Sequence, residues 1–442
     1  MPRPSSSPTD SGQSPSARLR QDGDFRRLWA GQTASQLGEQ ASLVILPLFA
    51  VLTLHAGAGQ LGVLRAVGQA PILVLSLFVG AWVDRWRTRT VMATADAGRT
   101  LVLGAAAVAA LLGWLGLPAL LGVTFAIGAL SVFFDVAYQA SAVRLLRRDQ
   151  LLRANSALEG SRSAAQTGGP ALGGALVSLL SAPIAIACGA LFLALSFLSI
   201  RRIRRNESVP RRPDGPARVR RRIHAGLRFV IADATLRTVC LASAAYQFFF
   251  AAVMTGYLLF LPRELHLSGA AVGLALAATG PGALLGSVLA ARLPDRFGYG
   301  PVLMSAAALG DGAFLCVPAL HGSPAVTLPA LLAVNFVFGA GGQLVSVALM
   351  AVRQSLTPDA MQGRAAATIT FVGMGLTPLG SLLGGFLGAQ WGLRTSLLTM
   401  SAGMMLSPVL MALSPLARLG RALPARRDTS VPAGGCGVRL TP

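Results

Sequence analysis

Glu39, Asp96, Asp135, Glu159 and Asp311 are carboxylates set inside long apolar stretches of the chain. A charge at such a depth is expensive, about 2.5–3.5 kcal/mol on insertion scales, and is usually functional or paired. Glu39 lies about 21 Å of helical rise into a stretch that begins near Phe25, which places it near mid-membrane. Ser35, Gln36 and Ser42 share its helix face, and no basic residue does. An isolated carboxylate there can bind a proton when dry and release it when water reaches it, so Glu39 is a proton-coupling or substrate-contact candidate. The plainer reading is a hydrogen-bonded structural Glu. Asp96 with Arg99, and Glu159 with Arg162, are spaced i,i+3 and face the same way. With Asp135 and Arg144 they read as a charge network holding neighbouring helices together, because charges in a membrane tend to pair. Asp311 has no obvious local partner and is a second protonation candidate.

Enzyme chemistry finds little support. His55, His224, His266 and His321 are scattered. Cys188, Cys240, Cys316 and Cys436 form no metal-type pair, and the first three read as small packing residues. Neither a Gly-x-Ser-x-Gly elbow nor a phosphate-cradling Gly-x-x-x-x-Gly-Lys occurs. No catalytic residue, cofactor or metal is expected.

The elements that must position these charges are membrane helices. Hydrophobic residues make up 53% and charged residues 12% of the 442 positions, against about 25% charged in soluble domains. Apolar stretches near 25–54, 62–83, 91–114, 118–142, 155–180, 183–201, 236–261, 270–292, 301–319, 326–352, 363–389 and 393–416 are each long enough to span a bilayer. Arginine crowds the alternate connections: Arg85, Arg87 and Arg89, then Arg144, Arg147, Arg148 and Arg153, then the run from Arg201 to Arg222. Positive loops stay inside, so both termini are expected in the cytoplasm. The same rule and anionic lipid account for the net charge of +21, and nucleic acid is not an expected partner. The chain divides into a disordered tail (1–24), a six-helix lobe (25–201), a basic cytoplasmic linker (202–235), a second six-helix lobe (236–416) and a cytoplasmic tail (417–442). The first segment lacks an apolar h-region, so it does not read as a signal peptide. The fold class is all-α: a polytopic membrane protein of twelve transmembrane helices in two pseudo-symmetric lobes.

Asp84-Arg85 recurs as Asp295-Arg296, Val143-Arg144 as Val352-Arg353, and Pro170 as Pro378, each displaced by roughly 210 positions, the mark of an internal six-helix repeat. Gly80-Ala-Trp-Val-Asp84-Arg85-Trp-Arg87-Thr-Arg89 joins spans two and three. Gly80 permits close helix approach, and Asp84 suits a helix N-terminus. The stretch resembles the loop signature of the major facilitator superfamily. Phe25 to Gln32, Phe133 to Gln139, Asn155 to Glu159 and Gly169 to Gly174 resemble its drug-efflux branch, which includes macrolide and enterobactin exporters. The resemblance implies that Asp84 docks on span eleven as a cytoplasmic gate; a purely topogenic loop is the alternative. Ala291, Phe297 and Gly298 degrade the second-half copy. It also implies that Gly169-Pro170-x-x-Gly173-Gly174 is an antiporter-like element, although Ala165 stands where the fuller pattern has Gly, and tight packing alone would want the same residues.

Gln36, Tyr246, Gln247, Asn335 and Gln343 are cavity candidates, with Tyr257 beside them; the tyrosines would equally serve as interfacial anchors. The expected activity is secondary active transport: proton-coupled export of drugs or amphiphilic secondary metabolites by a monomer in the cell membrane, with protons, lipids and a small-molecule substrate as its partners. A siderophore exporter or importer on the same scaffold, or a non-transporting membrane sensor, remains the alternative.

Overall fold

The computed structural model describes residues 23–83, 86–145, 151–203 and 216–421. Six helices come first: α1 (Gly23–Leu52), α2 (Ala58–Val83), α3 (Thr88–Leu111), α4 (Leu117–Leu145), α5 (Leu151–Leu180) and α6 (Ala182–Arg201). The linker carries a helix of its own, α7 (Pro216–Ala232), which the reading of 202–235 as a connection did not anticipate. Then follow α8 (Ala234–Arg263), α9 (Gly269–Ala277), α10 (Thr279–Ala290), the short α11 (Leu293–Phe297), α12 (Tyr299–Ala313), α13 (Pro324–Leu356), α14 (Asp359–Gly375), α15 (Thr377–Gln390), α16 (Leu393–Met404) and α17 (Leu406–Ala412). There is no strand among the described residues.

Eleven helical stretches are long and apolar enough to cross a bilayer. α5 completes the twelve by length, with 30 residues. Asn155, Glu159, Arg162 and Gln166 dilute its apolar character. Spans eight, eleven and twelve are each two helices, divided at Ala278, Leu376 and Met405. Each division lies two or three residues ahead of a proline (Pro281, Pro378 and Pro408), whose missing N–H and ring disturb the preceding turn. α5 runs unbroken through Pro170, the counterpart of Pro378. Two span starts carry side-chain caps: Asp233 accepts from the Thr235 and Leu236 amides at 2.8 and 2.9 Å, and Ser268 from Ala271 at 3.3 Å.

Apolar side chains such as Leu101, Leu179 and Leu413 point outward, as a lipid-facing belt requires. Trp29, Trp82, Trp86, Trp114 and Trp391 are exposed and sit near span ends, where amphipathic rings anchor at the membrane surface.

Within the first half, α1 packs on α5 and α6, and α3 on α4 and α6. Two seams join the halves, α2 against α15 and α5 against α9. Both use glycine to bring backbones together. A Cβ on Gly385 would lie 2.7 Å from Gly62 Cα and 2.8 Å from the Ala58 carbonyl oxygen; one on Gly174 would lie 2.8 Å from Gly273 Cα and would strike the Gly269 carbonyl. Ala58 and Gly62 correspond to Gly269 and Gly273, and Gly174 to Gly385, at one spacing (273 − 62 = 211). The sequence repeat is therefore a repeat in packing. Both seams lie toward the end of the bundle opposite the one where α1 begins. There Arg263 donates to the His55 and Ala56 carbonyls at 3.0 and 2.8 Å, and the Ala270 amide donates to Ser178 Oγ at 2.6 Å.

Candidate functional site: a buried charge cluster beside a central seam

Arg99 is 1% exposed and organises four helices of the first half. Its guanidinium donates to Asp96 on its own helix, to Ser35 Oγ of α1 at 2.9 Å, to Ser131 Oγ of α4 at 3.1 Å and to Glu39 Oε2 of α1 at 3.4 Å. It also lies 4.5 Å over the Phe134 ring. Ser196 of α6 and Ser35 both donate to Asp96, whose side chain is fully buried. The i,i+3 spacing brought Asp96 and Arg99 together as expected. The correction concerns Glu39: it is not isolated, because Arg99 reaches it from α3 although no cation shares its own helix face. Two carboxylates against one guanidinium leave an uncompensated negative charge that one proton would cancel. Asp96 is sealed, whereas Glu39 retains 22% side-chain exposure. Glu39 is thus the member that water can reach.

The rest of the expected network does not close. Asp135, Glu159 and Arg162 make no ion pair among the described residues, although Asp135 lies in the field of Glu39, Arg99 and Arg162. The Arg144 side chain, and Asp84 and Arg85 of the gate motif, lie outside the described residues. Gly80 falls within α2; Arg87 is exposed, and Arg89 donates to the Arg201 carbonyl at 3.2 Å.

The antiporter-like element meets two helices. Gly169 and Gly173 face Gln40 and Ala41 of α1, the two residues that follow Glu39, while Gly174 faces α9. A Cβ on Gly273 would in turn lie 2.6 Å from the Pro170 carbonyl oxygen.

A cavity of about 460 Å³ opens among α8, α12, α13, α14 and α17. Asp311, Tyr246 and Gln247 line it, joined by Arg353, Ser346 and Met374, which sequence reasoning missed. Asp311 is 4% exposed and has no hydrogen bond or ion pair among the described residues. Asn335 does not reach the cavity. It is fully buried and donates to Tyr257 Oη at 2.7 Å and to the Leu331 carbonyl at 2.8 Å. Tyr257 is also fully buried, edge-on to Phe314, so it is no surface anchor. Gln36 is buried and Gln343 half-buried, both away from this cavity.

A bundle of membrane-crossing helices built as a repeat, with charged side chains buried among them, is the architecture of a secondary transporter. The family model described as "Transmembrane secretion effector" matches residues 13–431, and the chain belongs to that family of major facilitator transporters. It is 26% identical over 409 residues to the multidrug efflux pump Tap of Mycolicibacterium fortuitum, covering 88% of this chain and 95% of that one. It is 27% identical over 394 residues to Tap of Mycobacterium tuberculosis, covering 82% and 87%. Among solved structures it resembles a bacterial homologue of the iron transporter ferroportin in an inward-facing state, with TM-score 0.72 at 17% identity, covering 90% and 98% of the two chains. It also resembles a bacterial homologue of the lysosomal transporter Spinster, with TM-score 0.68 at 13% identity, covering 92% and 98%.

Proposed function

We propose that this chain exports amphiphilic drugs or secondary metabolites across the cell membrane by alternating access, driven by inward proton movement through Glu39. The observation that carries the coupling is the excess carboxylate at Arg99. Protonated, Glu39 leaves a neutral Asp96–Arg99 pair; ionised, it leaves one carboxylate more than the Arg99 guanidinium balances. Opening to water on one side would exchange the proton. The multidrug efflux of the Tap relatives supports drugs as cargo, and the glycine contacts of α5 with α1 and α9 tie helix movement to the stretch of α1 that carries Glu39.

The halves act as two six-helix lobes, 25–201 and 236–416, rocking about the glycine seams, with the Gly80-to-Arg89 loop as cytoplasmic gate and Asp311 as a second proton or cation site. The arginines at Arg27, Arg89, Arg201 and Arg202 line one surface recess, as expected of a cytoplasmic face. With cytoplasmic termini the seams are on the outer side, so the state described is inward-facing.

Ethidium transport into inside-out proteoliposomes under an imposed pH gradient tests this. Glu39→Gln fixes the protonated form. Gradient-driven ethidium accumulation should stop while downhill ethidium exchange continues. Gradient-driven accumulation by the Gln variant with unchanged pH dependence would move the coupling elsewhere, Asp311 first.

A further inference from the structure

One cation within the apolar layer has no partner in the cluster or across the seams. Arg65 lies seven residues into α2, about 10 Å along it, well inside the apolar layer. Its Nε is buried without a hydrogen-bond partner. Neither a hydrogen bond nor an ion pair satisfies the guanidinium among the described residues. The residue as a whole is only half-buried, so the terminal nitrogens keep access to open space.

Its neighbours on the helix show which space that is. Gly62, one turn before it, packs on Gly385, and Gln69, one turn after, accepts from Ser381 Oγ at 3.3 Å. Leu73, a turn further, approaches Gly375. Arg65 therefore stands on the face that looks across to the other half of the molecule, where transporters of this architecture bind cargo.

The internal repeat indicates that packing does not require it. At the spacing that relates Gly62 to Gly273, Arg65 corresponds to Leu276, a half-buried apolar residue on the matching seam. The same seam is built once with Leu and once with Arg. A positive charge retained at such depth without a carboxylate is expensive unless an anion visits it.

We propose that Arg65 is a substrate-selecting residue: its guanidinium receives an acidic group, carboxylate or phosphate-like, on the exported molecule. The planar fork suits such groups. This rests on the export reading above and adds to it a preference, among amphiphilic cargo, for molecules that carry an acidic group.

The matched probes are rhodamine B, which bears a free carboxylate, and its ethyl ester, which does not. Binding to detergent-solubilised protein is read by fluorescence anisotropy, and transport is read in proteoliposomes. The wild type should bind the acid more tightly than the ester. Arg65→Leu, which installs the residue of the equivalent position, should weaken acid binding about tenfold and leave ester binding and transport unchanged. Arg65→Lys should restore part of the acid preference. Equal wild-type binding of the two dyes, strong or absent, overturns the proposal. Parallel loss of both dyes in Arg65→Leu overturns it too, since that is a packing defect. The measurements are repeated with phosphatidylglycerol present and absent. An Arg65 effect that follows this lipid rather than the dye carboxylate assigns the site to a headgroup and also overturns the proposal. Acid-selective binding that persists without dye transport would uphold the subsite and count against export.

Discussion

Arg99 illustrates how a single side chain can be structural and functional together. It joins Asp96, Glu39, Ser35 and Ser131 from three helices, and Ser196 adds a fourth through Asp96. Removing its charge would strand Asp96, which is fully buried. Breaking a buried pair by deleting one partner costs about 3–5 kcal/mol. Arg99→Gln is thus expected to lower the thermal unfolding midpoint in detergent strongly, and adding Asp96→Asn should recover part of the loss. A single variant as stable as the wild type would contradict the arrangement. Glu39→Gln, in contrast, keeps a polar partner at 3.4 Å from Arg99, so its stability should change little while coupling is lost.

At the scale of helices, glycine decides where the two halves can touch. Gly385 meets backbone atoms of α2, which cannot rotate away as a flexible side chain would. Gly385→Val should wedge α2 from α15. A cysteine placed at Gln69 in a cysteine-free background should then react several-fold faster with an impermeant maleimide added outside, and transport should fall. Unchanged labelling would show that this seam does not close the outer side. The prolines act differently in the two repeats. Span eleven divides at Leu376, whereas α5 continues through Pro170. Gly169 and Gly173 hold that stretch of α5 against α1.

At the scale of the whole molecule, the proposed orientation rests on where the arginines lie. The recess formed by Arg27, Arg89, Arg201 and Arg202 lies at the end where the chain enters α1, and the close seams lie at the other. A periplasm-active phosphatase fused after Arg222 is expected to give no activity. Strong activity there would invert the map and make the present state outward-facing. The same fusion tests whether the linker helix α7 lies on the cytoplasmic side.

Spans, helical class, family membership and the six-helix repeat were legible in the sequence, because hydropathy, loop charge and motif spacing are properties of neighbours along the chain. Even there, proline positions alone did not tell a broken span from a continuous one, since Pro170 and Pro378 have different surroundings. Pairings across helices were not legible. Arg99 and Glu39 are 60 positions apart, and nothing local marks them as partners. The burial of Asn335 against Tyr257, and the lack of an ion pair for Asp135, Glu159 and Arg162 among the described residues, likewise depend on helix rotation and depth. Nothing in the sequence around Arg65 distinguishes it, whereas the fold sets it between Gly62 and Gln69 on the face toward the other half. A charge acquires its meaning from what surrounds it, and only the packed helices determine those surroundings.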